Sequence, residues 1–322
     1  MPLTQPLAGD VHVNRPLTNF GQRYMQNADA FVALRAMPNL PVSKQTDLYW
    51  EWNKGDWYRA RGDELIRADG TESAGAGYRV STNSYAAVVR AFHKDVTDRQ
   101  RANADEAHNL DEAAAQFVAL QLMINREVKF AATYMQTGVW GTDLNVDWTS
   151  ASVDPVPQVR TGKRTVQTNT GYRPNRMLFG RQAWDTLLEN DLIMARISGG
   201  ATVDKAAIAT RRLIAELFEL ESIEVMDAVQ NTAQVGAADA FSLIGGDLAL
   251  LYYAPAQVSQ GEPTAGVQFS WTGYTGATQQ GFRTSRFRIE AVKADRVEGE
   301  MAFDYKVVAP ALGYMFTSPS AP

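Results

Sequence analysis

The chain has 322 residues, of which 45% are hydrophobic and 21% charged, as in an ordinary globular protein of one large domain or two smaller ones. Its net charge of -5 disfavours an enzyme that binds nucleic-acid backbones, which usually needs a basic surface. The absence of cysteine excludes disulfides, thiolate zinc sites and cysteine nucleophiles. Because no signal peptide and no run of ~18 apolar residues is present, we expect a soluble protein made inside the cell, without a membrane partner.

Residues 1–47 are predicted to form an N-terminal arm. Prolines interrupt this segment, and only the stretch 18–37 has helical potential. Such a segment lacks the regular apolar pattern needed to build a core of its own. We therefore expect it either to be disordered or to lie across another surface, such as a neighbouring subunit.

Residues 45–92 are predicted to form an extended loop, a long β-hairpin. Aromatic, strand-like residues precede a turn signal at Lys54-Gly55-Asp56, and the chain becomes extended again from Tyr78 to Arg90. Because two strands alone are only marginally stable in water, this ribbon needs a surface to lie on. Five residues are expected to contact another subunit, with packing on their own domain as the alternative: Trp50, Trp52, Lys54, Trp57 and Tyr58.

The clearest helix is predicted to begin after Asn109, with Glu112 placed as in a capping box, and to stop at Gly138. At roughly 1.5 Å per residue it would be about 40 Å long, which suits a structural spine. The helical spacing of its apolar residues predicts a core face made of Phe117, Leu120, Ile124 and Val128.

The stretch 155–255 alternates between helix and strand and predicts a compact α/β unit with its own core. Helices are expected at about 159–169, 182–189 and 203–220, and strands at 177–180, 223–226 and 248–253. The stretch 256–322 returns to β structure. Its strongest strand signal is the alternation of apolar and charged residues from Val297 to Val307.

No catalytic, metal or cofactor site is predicted. The three histidines, His12, His93 and His108, lack the spacing of a helical metal pair, and no acidic cluster accompanies them. The chain also lacks the phosphate-loop, dinucleotide-binding and nucleophile-elbow motifs.

Two sets of charged residues are candidate sites that ordinary surface charge explains better. Carboxylates could in principle form a glycoside-hydrolysing pair, with Glu64, Glu72, Asp95 and Asp111 as nominal candidates. A basic set is the best candidate to face an anion, although a solvated helix face or salt bridges explain it better: Arg160, Lys163, Arg164, Arg173, Arg176 and Arg181.

Several short motifs occur in a fixed order along nearly the whole chain. They include Val11-His12-Val13-Asn14-Arg15-Pro16-Leu17-Thr18-Asn19, Lys54-Gly55-Asp56-Trp57, Gly70-Thr71-Glu72-Ser73-Ala74, Arg101-Ala102-Asn103-Ala104-Asp105, Thr137-Gly138-Val139-Trp140-Gly141-Thr142-Asp143, Trp271-Thr272-Gly273 and Asp295-Arg296-Val297-Glu298-Gly299-Glu300-Met301. Each motif is weak alone. Together they resemble those of the major capsid proteins of tailed bacteriophages with the Hong Kong 97 fold.

The resemblance implies an α+β capsid fold of that type, with an N-terminal arm at 1–47 and an extended β-hairpin loop at 45–92. A peripheral domain with the long spine helix would occupy 93–154, an axial α/β domain 155–255, and a β-rich return to the peripheral domain 256–322. In such shells the extended loop lies over the neighbouring subunit, and the domains rotate as the shell matures. Gly70, Gly75 and Gly77 are then expected to act as hinges of the loop.

The implied function is that of a major capsid protein, not an enzyme, which assembles with itself into pentamers and hexamers of an icosahedral shell. The shell would form in the host bacterial cytoplasm and enclose double-stranded DNA without sequence-specific binding. Portal and scaffolding proteins, and possibly decoration proteins, are the further partners implied. Since the chain starts directly at the arm, a separate or already removed scaffolding segment is expected. Although Lys44 and Lys54 lie beside or on the loop, no crosslinking is predicted.

Two other functions remain open on the sequence. An encapsulin-like nanocompartment shares the fold and encloses a cargo protein instead of a genome. A soluble carbohydrate-active enzyme with an unrecognised carboxylate pair is the rival of another class, and it predicts a stable monomer or small oligomer with a cleft.

Overall fold

The computed structural model describes residues 26–103, 109–197, 210–259, 262–273 and 277–320. The strands within these ranges are β1 Asn39–Val42, β2 Thr46–Trp52, β3 Val80–Ala86, β4 Val88–Thr97, β5 Asp143–Asn145, β6 Arg176–Gly180, β7 Ser222–Met226, β8 Val229–Asn231, β9 Phe241–Leu243, β10 Leu248–Tyr252, β11 Gly266–Trp271, β12 Phe282–Ile289, β13 Ala294–Val307 and β14 Gly313–Thr317. The α-helices are α1 Lys54–Trp57, α2 Asp98–Ala102, α3 Leu110–Tyr134, α4 Pro155–Thr170, α5 Arg181–Glu189, α6 Asp191–Ile197 and α7 Arg211–Phe218. The expected mixture of helix and strand is therefore confirmed.

The first of two five-stranded sheets is built around β13, in the order β1-β11-β13-β12 with β4 also paired to β13. The alternation predicted for this strand is confirmed, because Val297, Met301, Phe303 and Tyr305 are all buried. The strand begins at Ala294, three residues before the predicted start. It forms the centre of the sheet, and α3 packs across it.

The long helix α3 begins where the sequence predicts, since the side chain of Asn109 accepts a hydrogen bond from the Glu112 N–H at 3.2 Å. Its predicted end at Gly138 is wrong. Met135 leaves the helical conformation after its N–H has bonded to Ala131 O, so the helix has 25 residues.

The predicted core face of α3 is also wrong in part. Phe117 is 44% exposed and lies against Phe92 of β4, with ring centroids 5.7 Å apart. Leu120, Ile124 and Val128 are half-buried at the margin of the core. The buried stripe is instead Ala114, Val118, Leu122, Arg126, Glu127, Phe130, Ala131 and Tyr134.

The misassignment has a physical cause in the two charged residues of that stripe. Arg126 donates to Tyr305 Oη at 3.2 Å and to Gln280 O at 3.1 Å, and its guanidinium lies over the Phe303 ring. Glu127 is fully buried and also hydrogen-bonded. A face chosen by apolar residues alone therefore misses the two inward positions that carry charge.

The second five-stranded sheet has the order β5-β14-β10-β6-β7. The strands and helices expected in 155–255 are found there, although α4 starts earlier, at Pro155, because Asp154 caps it. Of the helix expected at 203–220, residues 203–209 lie outside the described residues and Arg211–Phe218 is helical. Strand β14 pairs with β10 and β5, so this part of 256–322 completes the second sheet and not the first.

Residues 26–37, which we call the strap, lie against the second sheet, helix α3 and the β8–β9 pair. Gln26 exchanges two hydrogen bonds with the backbone of Val229, and Tyr252 Oη donates to Ala36 O at 2.5 Å. The two Glu127 carboxylate oxygens accept from the backbone N–H groups of Val32 and Ala33, at 3.1 and 2.9 Å. The helix predicted as a potential for 18–37 is wrong for residues 26–37, which form only a 3-10 turn at Ala28–Ala30. Residues 18–25 lie outside the described residues.

Candidate functional site

The β2–β3 hairpin is a two-stranded sheet of its own with one face turned to solvent. Along β2, exposed residues alternate with half-buried ones, as expected for a strand with a single covered face. Aromatic contacts anchor the covered face. The Tyr85 ring stacks on the Phe269 ring of the first sheet, with ring centroids 4.4 Å apart, and the Tyr49 ring centroid lies 5.5 Å from that of Phe269. The hairpin is therefore fixed at its base.

The uncovered face of the hairpin is apolar. Trp50 is 65% exposed and Trp52 40%, and their rings meet edge to face with centroids 6.2 Å apart. Leu48 beside them is exposed as well. Large clustered aromatic side chains in water are typical of a surface that another molecule covers. These tryptophans do not pack on their own domain, which was the alternative; their contact with another subunit stays a prediction.

The loop beyond the hairpin, residues 53–79, is closed by a charged pair at its base. Both Asp56 carboxylate oxygens accept hydrogen bonds from the Arg79 guanidinium, at 3.0 and 3.2 Å, and this partner holds the pKa of Asp56 below its ordinary value. Trp57 is 63% exposed, and its ring centroid lies 5.4 Å from that of Tyr78. The loop thus presents a third exposed tryptophan beyond the hairpin face.

The turn predicted at Lys54-Gly55-Asp56 is instead the short helix α1. Asn53 caps it, since its side-chain oxygen accepts from the Gly55 N–H at 2.9 Å. Lys54 and Tyr58, expected at an intersubunit contact, both touch their own subunit here. Lys54 Nζ donates to Asn169 O at 3.0 Å, and the Tyr58 hydroxyl lies against Gly171, while the Tyr58 side chain remains largely exposed.

The three predicted hinge glycines lie in the same loop. Gly70 has a φ of +74°, which favours glycine, whereas Gly75 and Gly77 have no such requirement. All three are surrounded by open space. The geometry leaves room for the loop to move at these positions, and their role as hinges stays a prediction.

We expect Gly75→Pro or Gly77→Pro to impair shell assembly or expansion while the subunit still folds. Proline would fix the backbone φ angle at positions where an added Cβ atom has no neighbour within 4 Å. Gly75→Ala is the control, because it adds one methyl group in open space. Electron microscopy of particles and circular dichroism of the subunits would measure the two effects; normal mature particles from both proline variants would refute the hinge role.

The nominated carboxylates form ion pairs or stand in solvent. Arg296 donates to both Asp95 oxygens, at 2.7 and 2.9 Å, and lowers the pKa of Asp95. Asp111 pairs with Arg101 at 2.6 Å and with Arg286 at 3.1 Å. Glu64 and Glu72 are exposed in the loop. Nothing in this arrangement places two of these carboxylates around a cleft.

Three of the six residues in the basic set are engaged within the chain itself. Lys163 is 2% exposed and donates to Phe218 O and Glu219 O, at 2.7 and 2.9 Å. Arg173 pairs with Glu219, and Arg181 with Asp227. The interpretation of this set as surface charge is wrong for Lys163, which is buried, whereas Arg173 and Arg181 do form salt bridges.

Among the described residues, no cluster of three or more His, Asp or Glu side chains could hold a metal ion. None of the described helices is both long and apolar enough to cross a membrane. His93 lies exposed on β4, and His12 and His108 lie outside the described residues.

Comparison with known proteins gives this geometry a context. The chain is 26% identical over 223 residues to the major capsid protein of the Burkholderia phage BcepMu, a match that covers 67% of this chain and 69% of the relative. No family model matches the chain.

Solved structures match almost the whole chain. A phage-related protein from Bordetella bronchiseptica RB50 has a TM-score of 0.68 at 18% identity, covering 92% of this chain and 94% of its own. The capsid of the cyanophage P-SCSP1u has a TM-score of 0.58 at 10% identity, covering 92% and 91%. The SrpI encapsulin of Synechococcus elongatus PCC 7942 has a TM-score of 0.52 at 9% identity, covering 95% and 94%.

The fold is therefore the one shared by phage capsid subunits and encapsulins. Within that class, the sequence relative is a phage major capsid protein. The resemblance to tailed-phage major capsid proteins that the sequence motifs indicated is confirmed.

Proposed function

We propose that the chain is the major capsid protein of a tailed phage, repeated as pentamers and hexamers in an icosahedral shell around double-stranded DNA. The observation that carries the proposal is the uncovered aromatic face of the hairpin, on a subunit whose fold matches capsid proteins over almost its full length. An isolated subunit has no use for such a face. A shell covers it with the next copy.

The finer architecture we propose is of the Hong Kong 97 type. The first sheet with α3 corresponds to the peripheral domain, and the second sheet with α4 to α7 to the axial domain. The 45–92 loop corresponds to the segment that lies over the neighbouring subunit. Each subunit then meets several others, so interfaces near a standard ~1,600 Å² would hold the shell together.

The acidic chain fits a container for DNA. A strongly basic inner wall would bind phosphates tightly and oppose release of the genome, whereas a net charge of -5 avoids this. Assembly in the host cytoplasm, with scaffolding, portal and possibly decoration proteins, belongs to the same proposal. DNA would be enclosed without sequence-specific contacts.

The first test is whether the wild-type chain assembles into shells. We expect Trp50→Ser to abolish shell formation or to reduce the number of shells at least ~10-fold. A truncated aromatic anchor at an interface costs about 2 kcal/mol or more, whereas the subunit loses little because Trp50 is 65% exposed. Negative-stain electron microscopy, with and without the scaffolding protein, would count the shells.

Trp50→Phe is the matched control, since it keeps an apolar ring at the same place and should still assemble. Shell formation by Trp50→Ser at the wild-type level would remove the hairpin face from the interface. A wild-type chain that stays a folded monomer under both conditions would contradict the capsid role itself.

A nanocompartment shell is the second candidate, favoured by the likeness to the SrpI encapsulin. The two functions differ in content. Shells purified from cells infected or induced to produce phage should contain DNA if the chain is a capsid protein. A co-purifying enzyme in place of DNA would favour the compartment.

A further inference from the structure

In the described residues, the free end of the aromatic hairpin touches the body of its own subunit beside helix α4. There Lys54 and Tyr58 meet the C-terminal end of α4, at Asn169 to Gly171. We call this contact the latch. The latch uses other residues than the base of the hairpin, where Tyr85 stacks on Phe269.

The chemistry of the latch favours its formation. The last carbonyls of a helix have no partner within the helix and carry the negative end of its dipole, so a cation stabilises them. Lys54 Nζ supplies that cation to Asn169 O at 3.0 Å. Gly171, with a φ of +77°, caps the C-terminal end of helix α4, and its missing side chain leaves the space that the Tyr58 hydroxyl occupies.

The latch is also weak, which matters for its role. Lys54 and Tyr58 are both exposed, and contacts of exposed groups contribute only modestly. An intersubunit interface that uses the same loop could therefore displace it. An interface that used Lys54 or Tyr58 against another copy would compete with this contact for the same side chains.

We propose that the latch is autoinhibitory: it holds the 53–79 loop on its own subunit and must open before the loop can contact another copy. The proposal rests on the capsid role proposed above. It adds that the free subunit stores its intersubunit loop in a closed position and that opening this contact limits the onset of assembly.

Gly171→Asn tests the latch without altering the loop. A Cβ atom at residue 171 would lie 2.9 Å from the Tyr58 hydroxyl oxygen and push it away, while asparagine tolerates the left-handed backbone. Gly138→Asn is the matched control, because Gly138 has a φ of +78° and no atom within 4 Å of the new Cβ. Thermal unfolding of both variants checks that the subunit remains folded.

The first readout is trypsin cleavage after Arg59 and Arg61 in the unassembled subunit, followed by mass spectrometry. Cleavage of an opened segment tracks its open population. We expect Gly171→Asn to be cleaved about fivefold faster than Gly138→Asn, as the loss of about 1 kcal/mol of contact energy in the latch would give. Equal rates would overturn the latch.

The second readout is the protein concentration at which shells appear. We expect Gly171→Asn to assemble at a lower concentration than wild type, and Gly138→Asn to match wild type. Faster cleavage with slower assembly would overturn autoinhibition and assign the end of α4 to the interface instead. If no chain assembles, the capsid role fails, while the cleavage rates still decide whether the latch exists.

Discussion

The wild-type protein is expected to lose about 3 kcal/mol of stability relative to Glu127→Gln as the pH rises from 4.5 to 7. Burial raises the pKa of Glu127 from 4.5 to about 7, against the two backbone N–H groups of Val32 and Ala33, which lower it. A folded-state pKa above the unfolded value means that the native protein binds the proton more tightly. That contribution is full below about pH 4.5 and is lost as the pH rises through 7.

Urea unfolding of both proteins at pH 4, 5, 6, 7 and 8 would measure the difference. Glutamine has nearly the shape of glutamate and does not titrate, so the pH-dependent part of the difference belongs to Glu127. Glu112→Gln, at an exposed position on the same helix, is the control for the substitution itself. Parallel curves for the wild type and Glu127→Gln would show that Glu127 has the same pKa in the folded and unfolded protein.

Replacing Lys163 by methionine is expected to lower the free energy of unfolding by about 2–4 kcal/mol. The ammonium group donates to Phe218 O and Glu219 O at the end of α7, where Glu219 adopts the left-handed conformation with a φ of +55°. Methionine fills a similar volume and donates nothing, so both carbonyls would lose this buried donor. Burial lowers the pKa of Lys163, and the nearby Glu219 carboxylate opposes that effect.

Arg212→Met is the control for Lys163→Met. Arg212 pairs with Glu216 one turn along α7, but its side chain is almost fully exposed, and such pairs contribute about 0.3–0.5 kcal/mol. Chemical denaturation at neutral pH would compare the two. A loss of less than about 1 kcal/mol for Lys163→Met would mean that water or a rearranged carbonyl replaces the lysine.

The features that could be predicted are those that depend on residues close together in the sequence. Asn109 and Glu112 mark the start of α3, and the alternation around Met301 marks β13, because caps and strand periodicity depend on neighbours in the chain. The tryptophans of the hairpin stood out in the sequence as aromatic residues on a two-stranded ribbon, which left both an intersubunit contact and packing on their own domain open. What they contact was beyond any local pattern.

The features that were missed depend on distant partners. Lys163 was grouped with surface charges because nothing near it in sequence shows that residues 218 and 219 lie over it. The strap has no periodicity of its own, and its conformation is set by Glu127 and Tyr252, which are about one and two hundred residues away. Two buried charges on α3 likewise displaced the expected core face.

The position of β14 has a consequence for how the protein is made. This strand lies between β5 and β10, so during synthesis the second sheet stays divided into β5 on one side and β10-β6-β7 on the other until residue 317 has left the ribosome. Until then the unpaired edge of β10 remains open to other nascent chains. The sheet can therefore be completed only after residue 317 has been synthesised, and each nascent chain passes through an intermediate with an open strand edge.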